Sequence, residues 1–496
     1  MPRVLLLWLM LAPLAASADF KSKIDQVLAN SPALSNAFIG IQVSSLNDGQ
    51  TLYQLNSDRL FTPASNMKLF TTALALLRLG PEYRFRTQLA ADHAIDATGA
   101  LEGDLVFIGG GDPSLSGRTY PYEYRPGSAP GSGYSFRGVE ELAGQLIARG
   151  LKRIDGNIIG DDRRYRWEPH PDPWSIGDST WEYGAPVSAL ILNDNSLALM
   201  LRPGTRAGDL AQLWLSPPLE YFSIDNRVRT ESDVERKLEI ERKPASRELR
   251  LRGVLPMKDP GESELLAIDD PALYAAEVLR DALQRRGVAI HGQAVMRHRF
   301  ADDAQKPTAS PEIQAPVVLA ERVSPPLSEL LQVVDKVSQN LHAEVLLREV
   351  GFLRRHNGSR AGGIDEIQEF LREIGVAKEQ YVFTDGSGLS RSTLVTPAAI
   401  ATLLAFMYKS SYRELWTSLL PIGGVDGTLA TRFHDHPEAA SVHAKTGTLA
   451  HVRALSGYVS GPDRPPLAFS ILVNNANAPA SDIAQALDRI VLALLD

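Results

Sequence analysis

A single Ser-x-x-Lys pair, Ser65-Asn-Met-Lys68, stands at the head of a stretch whose apolar residues Met67, Phe70, Ala73, Leu74 and Leu77 recur at intervals of three and four. That spacing predicts an α-helix with one buried stripe, marked at its start by Pro63 and Ser65 and ended at Gly80. Residues three apart share a helix face, so the Ser65 hydroxyl and the Lys68 amine are placed where they can meet.

The pairing matters because a serine hydroxyl is a weak nucleophile at neutral pH. A neighbour that takes its proton is worth roughly 10²–10⁴-fold in rate. Lysine serves as that base only with a depressed pKa, which the positive end of a helix and partial burial both favour. Read alone, the tetrad is more often a helix cap beside a solvated lysine than a catalytic pair.

The rest of the chain narrows the choice. At 496 residues it is too long for one compact core, and two or three domains are expected. A hydrophobic content of 44% with 22% charged residues is that of a soluble globular protein, and a net charge of −8 gives no sign of a nucleic-acid partner. The chain has no cysteine, which excludes disulfides, a thiolate nucleophile and zinc–sulfur sites. Of its ten histidines only His434 and His436 are close in sequence, a solvated loop pair rather than a metal site, and no cofactor is called for. Arg3, the apolar run Val4–Leu14 and the small residues Ala16-Ser17-Ala18 read as a secretory signal cleaved after Ala18. The run is too short to span a bilayer and no later segment is long and apolar enough, so the mature chain is expected to be exported, without a membrane span.

Along the chain, a helix is predicted over Phe20–Leu34. The strands Ala37–Val43 and Thr51–Leu55 follow, joined by the hairpin signal Asn47-Asp48-Gly49. From about Glu82 the texture changes to short β-like runs broken by glycine and proline, among them Leu105–Ile108, Gly156–Ile159, Leu192–Asn195, Glu248–Arg252 and Val288–Val295. One helix interrupts them, from Pro271 to Arg286, with Asp270 placed to cap it. Arg163-Arg164-Tyr165-Arg166-Trp167 reads as a solvated loop face. After a polar, proline-bearing linker (Ala304–Pro326), two helical stretches flank a bend at Ser338-Gln339-Asn340. The strands Leu455–Val459 and Leu467–Val473 lead to a closing amphipathic helix over Ser481–Leu495.

Ser338-x-Asn340 is the second of three short elements, and Lys445-Thr446-Gly447 is the third. The chain holds one Lys-Thr-Gly, followed by Thr448 and preceded by the β-prone Ser441–Ala444. Each is weak alone; together with Ser65-x-x-Lys68, in this order, they make up the signature of the penicillin-recognising serine enzymes. The chemistry of acyl transfer then gives roles. Ser65 attacks a carbonyl while Lys68 takes its proton. Ser338 lies beside Lys68 and passes a proton to the leaving amine, and Asn340 orients Lys68 and holds the substrate amide. Lys445 and Thr446 bind a terminal carboxylate, and Gly447 lets the substrate lie close to the strand. The backbone N–H groups of Ser65 and Thr448 form the oxyanion hole, where one donor is typically worth about 10²–10³-fold.

The chain resembles the low-molecular-mass class C penicillin-binding proteins, D-Ala-D-Ala carboxypeptidases of the DacB type. The likeness runs through nearly all of the mature chain and includes Gly109–Pro113, Tyr183–Leu190, Asn193-Asp-Asn195, Asp385–Arg391 and Gly424–Leu429. It implies an α/β, multi-domain fold: a β-lactamase/transpeptidase-like mixed sheet flanked by helices, split into residues 19–81 and 317–496. The intervening residues 82–316 would be a β-rich insertion of two nested domains, in line with the 273 residues between Ser65 and Ser338. It implies hydrolysis of the D-Ala-D-Ala end of peptidoglycan stem peptides, often with endopeptidase cleavage of D-Ala–diaminopimelate cross-links, in the periplasm, and β-lactam antibiotics as covalent inhibitors. Assembly as a homodimer is left open. Asp161 falls where the family has an insert-domain acid facing the diaminopimelyl amine, although the residues that follow, Asp162-Arg163-Arg164, depart from that pattern; locally, Asp161 reads as a turn aspartate. Asp385 and Asp426 sit in glycine turns and read as structural.

Two rival readings stand beside this one. A β-lactamase needs an activated water for deacylation, and no Glu-x-x-x-Asn type base appears between the first two motifs. A non-catalytic penicillin-binding sensor would have no need to keep all three motifs intact.

Overall fold

A computed structural model describes residues 12–128, 131–243, 246–301, 316–433, 435–461 and 464–495. Residues 1–11, which carry Arg3 and most of the apolar run of the signal, lie outside the described residues, as does His434. The chain divides into two compact units: Met1–Arg78 with Leu331–Ala343 and Ile364–Asp496, and Leu79–Leu330 with Glu344–Gly363.

In the first unit the backbone of Ala12–Ala29 forms α1. This helix stops earlier than the sequence suggests, because Pro32 opens a separate 3₁₀ turn, Pro32–Leu34. Strands β1 (Phe38–Ser45) and β2 (Thr51–Leu55) form the expected antiparallel hairpin. The 3₁₀ turn Ala64–Met67 leads directly into α2 (Lys68–Leu79). Further on come the first residues, Asn340–Ala343, of α3 (Asn340–Arg355), then α4 (Pro397–Lys409), β3 (Val442–Leu449), β4 (Val452–Gly461), β5 (Arg464–Asn474) and α5 (Ala480–Leu495).

The sheet runs β3-β4-β5-β1-β2. Against the expectation of a mixed sheet here, all its pairings are antiparallel. Short connections join β1 to β2 and β3 to β4 to β5, and such turns oblige neighbouring strands to run in opposite senses. Phe20 and Ile24 of α1 and Ile483, Leu487 and Ile490 of α5 are buried with Ile41, Val43, Leu455, Ile471 and Val473 of the sheet in one core. Strand β3 is an edge strand.

The second unit holds a five-stranded mixed sheet, with strands Ala294–Arg299, Ile158–Arg166, Leu105–Ile108, Arg86–Ala91 and Val317–Val323 in that order, parallel at one side and antiparallel at the other. The helix Pro271–Gln284 begins as the sequence indicates: Asp270 accepts from Leu273 N at 3.0 Å, and Pro271 occupies the first turn. Together with Arg137–Ala148 it covers one apolar core, while a second core is lined by Leu199, Leu201, Val228, Leu251 and Leu266.

Three segments here depart from the sequence reading, the first being Val317–Val323, an edge strand of this sheet where a linker over Ala304–Pro326 is expected. Arg163–Trp167 is not a loop face, since Arg163–Arg166 belong to the strand Ile158–Arg166, with Tyr165 buried. Arg164 donates to the buried Glu349 at 2.8 and 2.5 Å, and the Tyr165 hydroxyl donates to the same carboxylate at 2.7 Å. Instead of continuing a strand, Asn193, Asp194 and Asn195 all take left-handed backbone angles, with φ of 49°, 56° and 51°. Asn and Asp tolerate this region better than other non-glycine residues. Side-chain bonds hold the turn: Asp194 pairs with Arg118, and Asn195 accepts from Leu192 N and donates to Pro186 O.

Candidate active site

The nucleophile candidate sits just past a backbone kink. Ala64 has φ +47°, a left-handed angle costing a non-glycine residue roughly 1–2 kcal/mol. The surroundings enforce it: Gly388 packs so tightly that a Cβ there would lie 1.8 Å from Ala64 O. From this kink Ser65 enters the 3₁₀ turn and Lys68 begins α2, fully buried.

Lys68 Nζ lies 3.0 Å from Ser65 Oγ, and it also donates to Asn340 Oδ1 at 2.6 Å and to Ser387 O at 2.8 Å. Three separate segments therefore fix one amine beside one hydroxyl. Asn340 opens α3. Just before it a π-helical turn, Val333–Val337, gives way to Ser338 in the left-handed region at φ +68°. Ser338 Oγ accepts from Lys445 Nζ at 2.8 Å, and that same ammonium donates to Thr446 O at 2.9 Å. Lys445 is fully buried; burial pushes its ammonium below the ordinary lysine range, and the carboxyl of Asp335 opposes the shift.

The third motif lies on β3. Thr446 Oγ1 is 2.7 Å from Thr428 Oγ1, so the Gly424–Leu429 segment reaches the site through a hydroxyl pair. A Cβ at Gly447 would meet Pro63 O at 2.6 Å and Ala64 Cβ at 3.2 Å. The space this glycine leaves is thus occupied by the chain leading into Ser65, where the sequence reading reserved it for substrate. Ala444 N donates outward to Pro421 O, and Gly423 N donates to Val442 O. Because strand backbone groups alternate sides, the N–H groups of Thr446 and Thr448 point to the same outer edge of the sheet. Thr448 itself is exposed.

Several supporting groups are not among the residues that define the three short elements. Asn66 is buried beside Ser65; oriented so that its oxygen accepts from Ser456 Oγ (2.6 Å), its amide nitrogen donates to Lys445 O (2.9 Å). It ties the nucleophile's turn to β3 and β4. Asp385 accepts from Ser390 N at 2.8 Å and Thr393 Oγ1 at 2.7 Å, which shapes the loop that offers Ser387 O to Lys68. Asp426 accepts from Lys336 Nζ at 2.6 Å and Ile422 N at 2.9 Å.

Asp161 lies in the other unit, and it is a strand residue rather than a turn aspartate. It is nearly buried and already engaged, accepting from Arg163 N (3.1 Å), Arg163 Nε (2.9 Å) and Arg163 Nη2 (2.7 Å), with Arg297 at 3.7 Å. Among the described residues, no group of three or more His, Asp or Glu side chains could hold a metal ion.

The D-Ala-D-Ala carboxypeptidase 3 (S13) family matches residues 20–494. The chain belongs to that family. It is 32% identical over 479 residues to a D-alanyl-D-alanine carboxypeptidase of Actinomadura sp. (strain R39), covering 94% of this chain and 83% of that one. Penicillin binding protein 4 (dacB) of Haemophilus influenzae shares its fold, with a TM-score of 0.79 at 23% identity over 95% of this chain and 99% of the other, and that protein has also been solved with a β-lactam. A predatory peptidoglycan endopeptidase of Bdellovibrio bacteriovorus, Bd3459, is similar at a TM-score of 0.50 and 16% identity, over 93% of each chain. This S13 chain is accordingly a serine-type D-Ala-D-Ala carboxypeptidase, a hydrolase. Among its described residues no helix is long and apolar enough to cross a membrane.

Proposed function

We propose that the protein is exported, with its signal removed after Ala18, and trims the D-Ala-D-Ala ends of peptidoglycan stem peptides in the periplasm through an acyl-enzyme on Ser65. Ser65 Oγ attacks the penultimate D-Ala carbonyl as its proton passes to Lys68 Nζ. The C–N bond breaks as Ser338 hands its proton to the departing amine and is reprotonated from the Lys68 ammonium; Lys68, neutral again, takes a proton from the water that attacks the ester and returns it to Ser65 as the ester bond breaks. Lys445, with the outward edge of β3 at Thr446 and Thr448, receives the terminal carboxylate. The N–H groups of Ser65 and Thr448 stabilise the oxyanion, while Asn340 holds both Lys68 and the substrate amide. The observation that carries this reading is the 3.0 Å approach of Lys68 Nζ to Ser65 Oγ within reach of Asn340 and Ser387.

Penicillins acylate the same serine in this reading; the β-lactam complex of the Haemophilus protein supports it. We extend the proposal to cleavage of D-Ala–diaminopimelate cross-links, supported by the likeness to the Bdellovibrio endopeptidase. Asp161 is the candidate contact for the diaminopimelyl amine, for which that amine has to compete with Arg163. Two measurements test the proposal. Intact-mass analysis after penicillin treatment should show one adduct, lost in Ser65→Ala. Digestion of purified sacculi should release both tetrapeptide monomers and free D-Ala; release of D-Ala alone confines the enzyme to carboxypeptidase work, and an adduct on Ser65→Ala removes Ser65 from its role.

A further inference from the structure

One ionisable group beneath the site is used by none of the steps above. Asp335 lies in the π-helical turn Val333–Val337, three residues before Ser338. It is fully buried, and neither carboxylate oxygen has a hydrogen-bond partner among the described residues. An unpartnered buried carboxylate is costly, and it is retained in a fold only where something nearby offsets the cost.

What surrounds it is positive. Lys445 of β3, Lys68 of α2 and Lys336 of its own turn all act on Asp335 as cations. The Thr72 hydroxyl, one turn along α2 from Lys68, also favours the ionised carboxyl, but it directs its proton to Lys68 O at 2.8 Å. Lys336 is committed elsewhere, to Leu420 O at 3.0 Å and to Asp426. Lys68 is held by Ser65, Asn340 and Ser387. Among the described residues Lys445 has only neutral oxygens as hydrogen-bond acceptors, Ser338 Oγ and Thr446 O, and Asp335 is the charge that acts on it.

We propose that Asp335 is a positioning residue of the acyl-transfer site, a buried counter-charge that keeps Lys445 an ammonium and so keeps β3 able to receive a substrate carboxylate. The proposal rests on the reading of Lys445 as the carboxylate-binding group. Burial drives the Lys445 ammonium toward its neutral form; the Asp335 charge works against that, while burial raises the carboxyl of Asp335 in turn. Removing the Asp335 charge therefore lets Lys445 lose its proton at a lower pH, and carboxylate binding goes with it.

The test is steady-state hydrolysis of an N-acylated peptide ending in D-Ala-D-Ala by the full-length enzyme and by Asp335→Asn, from pH 6 to 10. The basic limb of the KM profile should move to lower pH by about one unit, a rise in KM of about tenfold on that limb, with kcat moving less. A purely structural role would lower the melting temperature and leave the limb where it is, and superimposable KM profiles overturn the proposal. Asp335→Ser is the second variant should the amide not be accommodated. If neither variant folds, Asp335 is a requirement of folding, and the proposed role falls as well. Penicillin labelling of the unmodified enzyme separates the two levels: labelled wild type with unshifted variants defeats Asp335 alone, whereas wild type that is not labelled at Ser65 defeats the underlying site.

Discussion

Lys445 Nζ donates to Ser338 Oγ at 2.8 Å, which joins the third motif to the second across 107 residues of sequence. The bond orients the Ser338 hydroxyl by filling one of its acceptor positions, which suits the proposed transfer of its own proton to a leaving amine. Ser338→Ala removes that donor and leaves Lys445 with one acceptor fewer. Single-turnover acylation by a D-Ala-D-Ala peptide should slow by about 10²–10⁴-fold, the range for loss of a positioned proton donor, while the far-ultraviolet circular dichroism spectrum stays unchanged. A variant with wild-type acylation would show that the amine finds its proton elsewhere.

Gly447→Ala should harm both stability and turnover. The added methyl would meet Pro63 O at 2.6 Å, and this oxygen belongs to the backbone kink that presents Ser65. Overpacking of this kind costs about 1–3 kcal/mol. The thermal denaturation midpoint and peptide hydrolysis should fall together, because the strain is placed on the turn that carries Ser65, the proposed nucleophile.

Asn66→Ala should act mainly through the fold. It strips the Lys445 carbonyl and the Ser456 hydroxyl of a buried partner, a loss of about 1–3 kcal/mol. Urea denaturation should register it as a lower midpoint with an unchanged slope, since the same surface is still exposed on unfolding.

Stability above neutral pH should depend on His298. Its two ring nitrogens face Asp162 Oδ1 at 2.9 Å and Asp270 Oδ2 at 3.2 Å, and despite partial burial these carboxylates raise it to about 9 from an ordinary 6.5. A raised folded-state value means that the contribution is fully present below about pH 6.5 and is lost as pH climbs toward 9. His298→Gln should flatten the decline in denaturation midpoint across this window; an unaltered decline would assign it to other groups.

How much of this was legible in advance follows from the range of each signal. That Ser65, Lys68, Asn340, Ser338 and Lys445 come together is legible because each lies in a motif whose spacing is fixed by one turn of helix or one strand; their roles stay a proposal. Helix Pro271–Gln284 could be placed because its cap and its proline are local. Asn66, Ser387, Thr428 and Asp335 were not legible, since what they do depends on a backbone carbonyl or a side chain far away in sequence. Arg163–Trp167 looked like a loop because its charges suggested solvent, whereas Glu349, nearly two hundred residues later, takes up Arg164 inside the fold. Asn193–Asn195 looked extended because a run of three left-handed residues has no periodicity to read.

Among the described residues strand β3 is paired along only part of its outer rim: the segment Pro421–Gly423 bonds to Val442 and Ala444, and the stretch beyond them carries Lys445-Thr446-Gly447. An incoming peptide laid there would join as a short sixth strand, recognised through its main chain before any side chain is read. Substrates N-methylated at the amide that would pair with this rim should therefore be discriminated against regardless of which amino acids they carry.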